Sequence, residues 1–101
     1  MSYEMVVGLQ IKDDKMYSKY REAMTPLLKE HGGGFRYDFK IDQVLKNAED
    51  RPINRVFTIH FKNKEMMNTF FSSERYKIIR ESYFDQSVAE KTIISEYEIK
   101  I

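Results

Sequence analysis

The sequence predicts an α+β domain in which two helices cover one face of a four-stranded antiparallel sheet. Three observations predict it. Four segments alternate apolar and polar residues with the period of two that marks a half-buried strand. Two segments between them repeat apolar residues at helical spacing. Their order along the 101 residues is β-α-β-β-α-β.

In the first strand Tyr3, Met5, Val7, Leu9 and Ile11 alternate with Glu4, Val6, Gly8 and Gln10. Asp13 or Asp14 can cap a helix beginning near Lys15, because its carboxylate accepts from unpaired amides of the first turn. Met16, Tyr20, Ala23 and Leu27 form that helix's apolar stripe, widened by Tyr17, Met24, Leu28 and His31. Pro26 removes a backbone donor within it, so a kink or broken turn is expected there. His31 suits the negative end of the helix, and Gly32-Gly33-Gly34 ends it.

The second strand starts near Gly34, with Phe35, Tyr37, Phe39 and Ile41 opposite Arg36, Asp38, Lys40 and Asp42. A polar connection, Lys46 to Asn54, leads to a third strand over about Arg55 to Phe61. There Phe57, Ile59 and Phe61 oppose Val56, Thr58 and His60. Asn63 can cap a helix carrying Met66, Met67, Phe70 and Phe71, and Ser73 can cap a further turn with Tyr76 and Ile79. Residues 84–91 look irregular, and the last strand is expected from about Thr92 to Lys100. In it Ile93, Tyr97, Ile99 and Ile101 oppose Ile94, Glu96, Glu98 and Lys100. This is the split βαβ, or ferredoxin-like, arrangement over residues 1–101, with sheet order 4-1-3-2.

Composition narrows the function classes. Seventeen basic residues against sixteen acidic ones leave no field for wholesale binding of nucleic acid or anionic lipid. There is no cysteine for disulfide or thiolate chemistry. No apolar run approaches the roughly 20 residues of a membrane helix. The amino terminus lacks a basic region followed by an apolar core, so a cytoplasmic location is expected.

The odd-numbered face of the sheet packs under the helices, leaving the even-numbered, mixed face as the place for a site. His60 is its one imidazole, with an ordinary pKa near neutrality, and is the catalytic candidate. Thr58 beside it and Gly8 opposite would complete a pocket, the glycine leaving room for a ligand. Glu4, Gln10, Arg36, Asp38 and Glu96 share that face. Arg36 and Asp38 could pair with each other, or Arg36 could hold a substrate carboxylate. Glu4 and Glu96 on neighbouring strands could share burial. Arg80, one turn beyond Tyr76, is expected in a surface salt bridge with Glu74 or Glu81, the alternative being a pocket mouth. Two histidines in separate elements give no metal-ligand spacing, and no cofactor is assigned. Phe57, Ile59 and Phe61 face away from the mixed side, so the aromatic platform of an RNA-binding sheet is missing there.

Several of these segments together resemble the domain-of-unknown-function 1330 family, small members of the dimeric α/β-barrel superfamily. They are the tyrosine-rich first helix ending in His31-Gly32-Gly33, Asn54-Arg55-Val56 opening the third strand, Phe61 closing it, and Ser73-Glu74-Arg75-Tyr76. The resemblance implies a homodimer whose two sheets pack face to face, turning the mixed face into a barrel interior. Val6, Val56 and Ile94 give that face apolar surface to bury. The expected function is a polar-lined pocket for a small organic molecule, in a cofactor-independent isomerase or oxygenase. The alternative is a non-catalytic ligand-binding or dimerisation module.

Overall fold

In the computed structural model, which describes residues 1–100, the first and third strands form the centre of the sheet. These are β1 (Ser2–Ile11) and β3 (Arg55–Phe61), flanked by β2 (Gly34–Lys40) and β4 (Val88–Ile99). All pairs are antiparallel, in the order β2-β3-β1-β4, which is the expected order read from the other edge. Three helices, α1 (Asp14–Glu30), α2 (Lys64–Ser72) and α3 (Glu74–Ile79), cover one face. Ile101 lies outside the described residues.

The helix starts are where capping chemistry puts them. The Met16 amide donates to Asp13 at 3.0 Å, Met66 to Asn63 at 2.8 Å, and Tyr76 to Ser73 at 3.1 Å. α1 runs unbroken through Pro26, so the expected broken turn is absent. It ends at His31, whose Nδ1 lies 2.8 Å from the Leu27 carbonyl. Gly32 then adopts φ +67° and the Gly33 amide returns to Leu28 O at 3.0 Å, closing a Schellman-type end. At Gly33 a side chain has no room, because a Cβ would lie 2.4 Å from the His60 carbonyl.

The core beneath the helices is aromatic. Leu28, Phe61 and Phe70 are wholly buried, with Met24, Leu9, Tyr17 and Leu27 nearly so. Asn54 ties the long β2–β3 connection to the end of β1. Its side chain accepts from Ile11 N and donates to Ile11 O, both at 2.8 Å, while its amide donates to Leu9 O.

Three slips in register change which residues share a face; one of them, in β4 between Glu90 and Val88, affects only the start of that strand. In β2 the register slips between Phe35 and Tyr37, so Tyr37 pairs with Thr58 and Asp38 with Phe57. An extra residue reverses side-chain parity beyond it. Tyr37 and Phe39 therefore lie on the open face, half-exposed and stacked with centroids 6.0 Å apart, not in the core as their odd numbers suggest. Asp38 lies on the helix side. In β4 the other slip falls between the partners of Val6 and Val7, pairing Val6 with Ser95 and Val7 with Ile93. Glu96 accordingly sits opposite Met5 on the helix side, and Tyr97 sits opposite Glu4 on the open face.

The segment before β4 is helical rather than irregular. A π-helical turn, Arg80–Phe84, continues α3, with Asp85 N donating to Arg80 O, and a final turn covers Asp85–Ser87. β4 consequently begins at Val88, four residues before the expected start.

Candidate functional site

The mixed-face candidates do not stay together. Glu4, Arg36, Thr58 and His60 come together on the open face. Glu4 is wholly shielded from water. Arg36 grips it with both arms of its guanidinium, Nε to Oε2 at 2.7 Å and Nη2 to Oε1 at 2.8 Å. The Tyr97 hydroxyl donates to Oε1 at 2.6 Å. The hydrogen bond from Arg36 holds the Glu4 carboxyl down to about 2, helped by Tyr97 and opposed by desolvation. Tyr97 was not singled out from the sequence, because the β4 bulge that turns it to this face leaves no signature there.

His60 stands directly opposite Glu4, not opposite Gly8, which pairs with Val56. Its Nδ1 is buried without a hydrogen-bond partner. Desolvation lowers the imidazole pKa; the Glu4 charge works against this and the Arg36 charge with it. Thr58, two residues before His60 on the same face, accepts from Tyr37 N at 3.1 Å. The space at Gly8 is taken by the Ile53 side chain, whose Cδ1 would lie 2.9 Å from a Cβ, so the glycine seats a loop residue and leaves no pocket. Gln10, further along β1, pairs with Glu90 at the far end of the sheet.

Asp38 and Glu96 belong to other groups. Asp38 is clamped by two arginines on the helix side, Arg55 at 2.8 and 2.9 Å and Arg21 at 3.2 and 3.4 Å. Burial would raise its carboxyl, but those partners hold it below its ordinary value. It therefore does not pair with Arg36. Glu96 accepts from the Tyr3 hydroxyl at 3.0 Å and shares no burial with Glu4, which lies across the sheet.

A cavity of about 280 Å³ lies between the helices and the sheet, on the side opposite His60. Met5, Val7, Leu9, Met24, Phe57 and Ile59 contribute its apolar walls, and Arg80, Lys91 and Ile93 are its more exposed lining residues. Tyr20 and Tyr76, two buried phenols, both line it with their hydroxyl oxygens 2.9 Å apart. Burial raises both, Tyr20 well above its ordinary value, so both are neutral hydroxyls at physiological pH. Only one proton can lie between the two oxygens, so the accepting hydroxyl keeps its own O–H free. Arg80 lines the same cavity from the first residue of the π-helical turn, and Phe84 from the last. π-helical turns recur at functional sites because they swing side chains off the regular helical face. Arg80 meets Glu81 and Asp85 only at 3.8 Å, so its expected surface pairing is loose and the pocket alternative also holds.

Among the described residues no cluster of His, Cys, Asp and Glu is arranged to hold a metal ion. No helix among them is long and apolar enough to cross a membrane.

The family described as Domain of unknown function (DUF1330) matches residues 3–97. The chain belongs to that family. No curated protein matches this DUF1330 chain significantly. A protein of unknown function from Rhodopseudomonas palustris has a similar structure, with TM-score 0.80 and 13% identity over 99% of this chain and 84% of that one. A DABB family protein with a ferredoxin-like fold from Mesorhizobium loti gives TM-score 0.66 at 10% identity, covering 98% and 97% of the two chains. A dimeric protein of unknown function with a ferredoxin-like fold, from Bacteroides fragilis, gives 0.62 at 12%, covering 97% and 96%. At these identities the likeness establishes the ferredoxin-like fold of this DUF1330 protein and nothing about its chemistry.

Proposed function

We propose that this DUF1330 protein is a homodimer that captures a small, largely apolar organic molecule in the cavity between its helices and sheet. The cavity carries the reading. At about 280 Å³ it is roughly twice the ~150 Å³ apolar cavity known to accept benzene, enough for a single ring with a short substituent. Its walls are apolar and its few polar groups converge, as in ordinary ligand sites. Its described lining residues offer hydroxyl donors and cations but no carboxylate or imidazole to act as a base. Ligand capture is therefore better supported than isomerase or oxygenase chemistry begun by proton abstraction.

The homodimer rests on the open face. Half-exposed Tyr37 and Phe39 and exposed Ile94 leave apolar surface there, and a similarly folded protein is dimeric. In the dimer the Glu4–Arg36–Tyr97 cluster and His60 lie between the two sheets. In this reading His60 is a polar group of the interface, on the opposite side of the sheet from the cavity.

Analytical ultracentrifugation at micromolar concentration is expected to give a dimer, because stable interfaces bury about 1,200–2,000 Å² in total. Val56→Asp, which sets a charge on the open face, is expected to give a folded monomer. A monomeric native protein, or a variant that stays dimeric, contradicts the face-to-face assembly. Benzyl alcohol, a neutral single-ring probe, is expected to shift amide and methyl resonances around the cavity. No perturbation at millimolar probe contradicts the binding reading.

A further inference from the structure

We infer that the molecule captured in the cavity is a small organic carboxylate, its apolar body on the sheet and its headgroup at Arg80 and the Tyr20–Tyr76 hydroxyl pair. This rests on the cavity being a ligand site and adds the chemical class of the ligand.

Charge is the first argument. Arg21, Arg80 and Lys91 line the cavity, and none of its described lining residues is acidic. Arg21 is already satisfied, with its guanidinium on Asp38 and its Nε donating to the Tyr17 hydroxyl at 2.8 Å. Arg80 is not: its carboxylate neighbours stand at 3.8 Å, and both Glu81 and Asp85 are more than half exposed. A cation facing an apolar space gains most from an anion that brings its own apolar body.

Geometry is the second argument. Tyr76 and Arg80 are four residues apart, so their side chains rise on the same side of the helix. The π-helical turn begins at Arg80 itself. The Arg80 charge acts on the Tyr76 hydroxyl, which places the two groups in one neighbourhood. The hydroxyl pair has one O–H left to give, and a guanidinium presents a planar fork. Together they match a carboxylate, which accepts several hydrogen bonds in a plane. An alcohol would use the free O–H but forfeit the guanidinium. An amine would be repelled by it.

The test compares three probes with one ring and different headgroups: benzoate, benzyl alcohol and benzylamine, each titrated into the full-length protein and followed by NMR. Benzoate is expected to bind at least about tenfold more tightly than benzyl alcohol, since hydrogen bonds to a charged group are stronger than those between neutral groups. Benzylamine is expected to bind most weakly. Arg80→Gln is expected to remove the benzoate preference while leaving benzyl alcohol binding within twofold. Lys91→Gln, which changes a cation at an exposed lining position, is expected to weaken benzoate far less.

Benzyl alcohol binding as well as benzoate, or Arg80→Gln leaving the preference intact, overturns the carboxylate assignment while the cavity reading stands. Failure of all three probes to bind overturns the cavity reading and the assignment with it. Equal losses in Arg80→Gln and Lys91→Gln would mean diffuse attraction of anions, and would also overturn the assignment.

Discussion

Phe70→Ala is expected to destabilise the protein by about 3–5 kcal/mol, the cost of removing a large ring from a site that cannot collapse around the loss. Phe70 is wholly buried, and four rings surround it: Tyr76 at 4.8 Å, Phe71 at 5.0 Å, Phe61 at 5.4 Å and His31 at 5.5 Å between centroids. Those neighbours come from α2, α3, β3 and the end of α1, so the ring joins all three helices to the sheet. Total stabilities of such domains are about 5–15 kcal/mol, so the variant should lose a large part of its urea resistance. Because Phe70 packs on Tyr76, the loss should also loosen the wall of the cavity. A shift below about 1 kcal/mol would mean that this ring cluster does not hold the helices in place.

Arg36→Ala is the second large effect, and its pH dependence identifies the cause. Removing Arg36 takes away the bidentate cation and leaves the Glu4 carboxylate with the Tyr97 and Thr58 hydroxyls as partners. Breaking a buried ion pair typically costs about 3–5 kcal/mol and an exposed one about 0–1 kcal/mol; with Glu4 shielded and Arg36 exposed, the loss is expected between those limits. The sign of the pH effect follows from linkage. The Glu4 pKa is depressed in the folded protein, so the pair's contribution is complete above the unfolded carboxyl value of about 4.5. It is lost as pH falls through the folded value of about 2. Chemical denaturation is therefore expected to show the full difference between the two proteins at pH 7 and a difference shrinking toward pH 2. A gap of constant size across that range would mean that Arg36 stabilises by packing and not by pairing with Glu4.

The fold was legible where local chemistry and periodicity agree. β1 pairs with β3 without a slip, so the even face of β1 and β3 carries Glu4, Val6, Gly8, Val56, Thr58 and His60 as their parity predicts. Asp13, Asn63 and Ser73 announce helix starts because their side chains can do little else there. The bulges were not legible. None of the three slips in register, after Phe35, at Ile94 or between Val88 and Glu90, is marked by a glycine, and each reverses the face assignments up to the next slip or the strand end. That is why Asp38 and Glu96 left the mixed face while Tyr37, Phe39 and Tyr97 joined it.

The cavity was harder still, because its apolar walls read as ordinary core. Met5, Met24, Phe57 and Ile59 are core residues by any pattern, and nothing in their spacing separates a filled core from one with room in it. The trace available in the sequence was polar. Tyr20 and Tyr76 put hydroxyls at apolar-stripe positions, and Arg80 follows Tyr76 by one turn.

The central claim is that ligands enter beneath the helices and not between the open sheet faces. Isotope-filtered NOE spectroscopy on methyl-labelled protein with benzoate bound separates the two sides of the sheet directly. The account predicts contacts from the benzoate ring protons to the Met5, Met24 and Ile59 methyl groups, which line the cavity. Contacts to Val6 and Val56 instead, which pair around Thr58 and Gly8 on the open face, would contradict it.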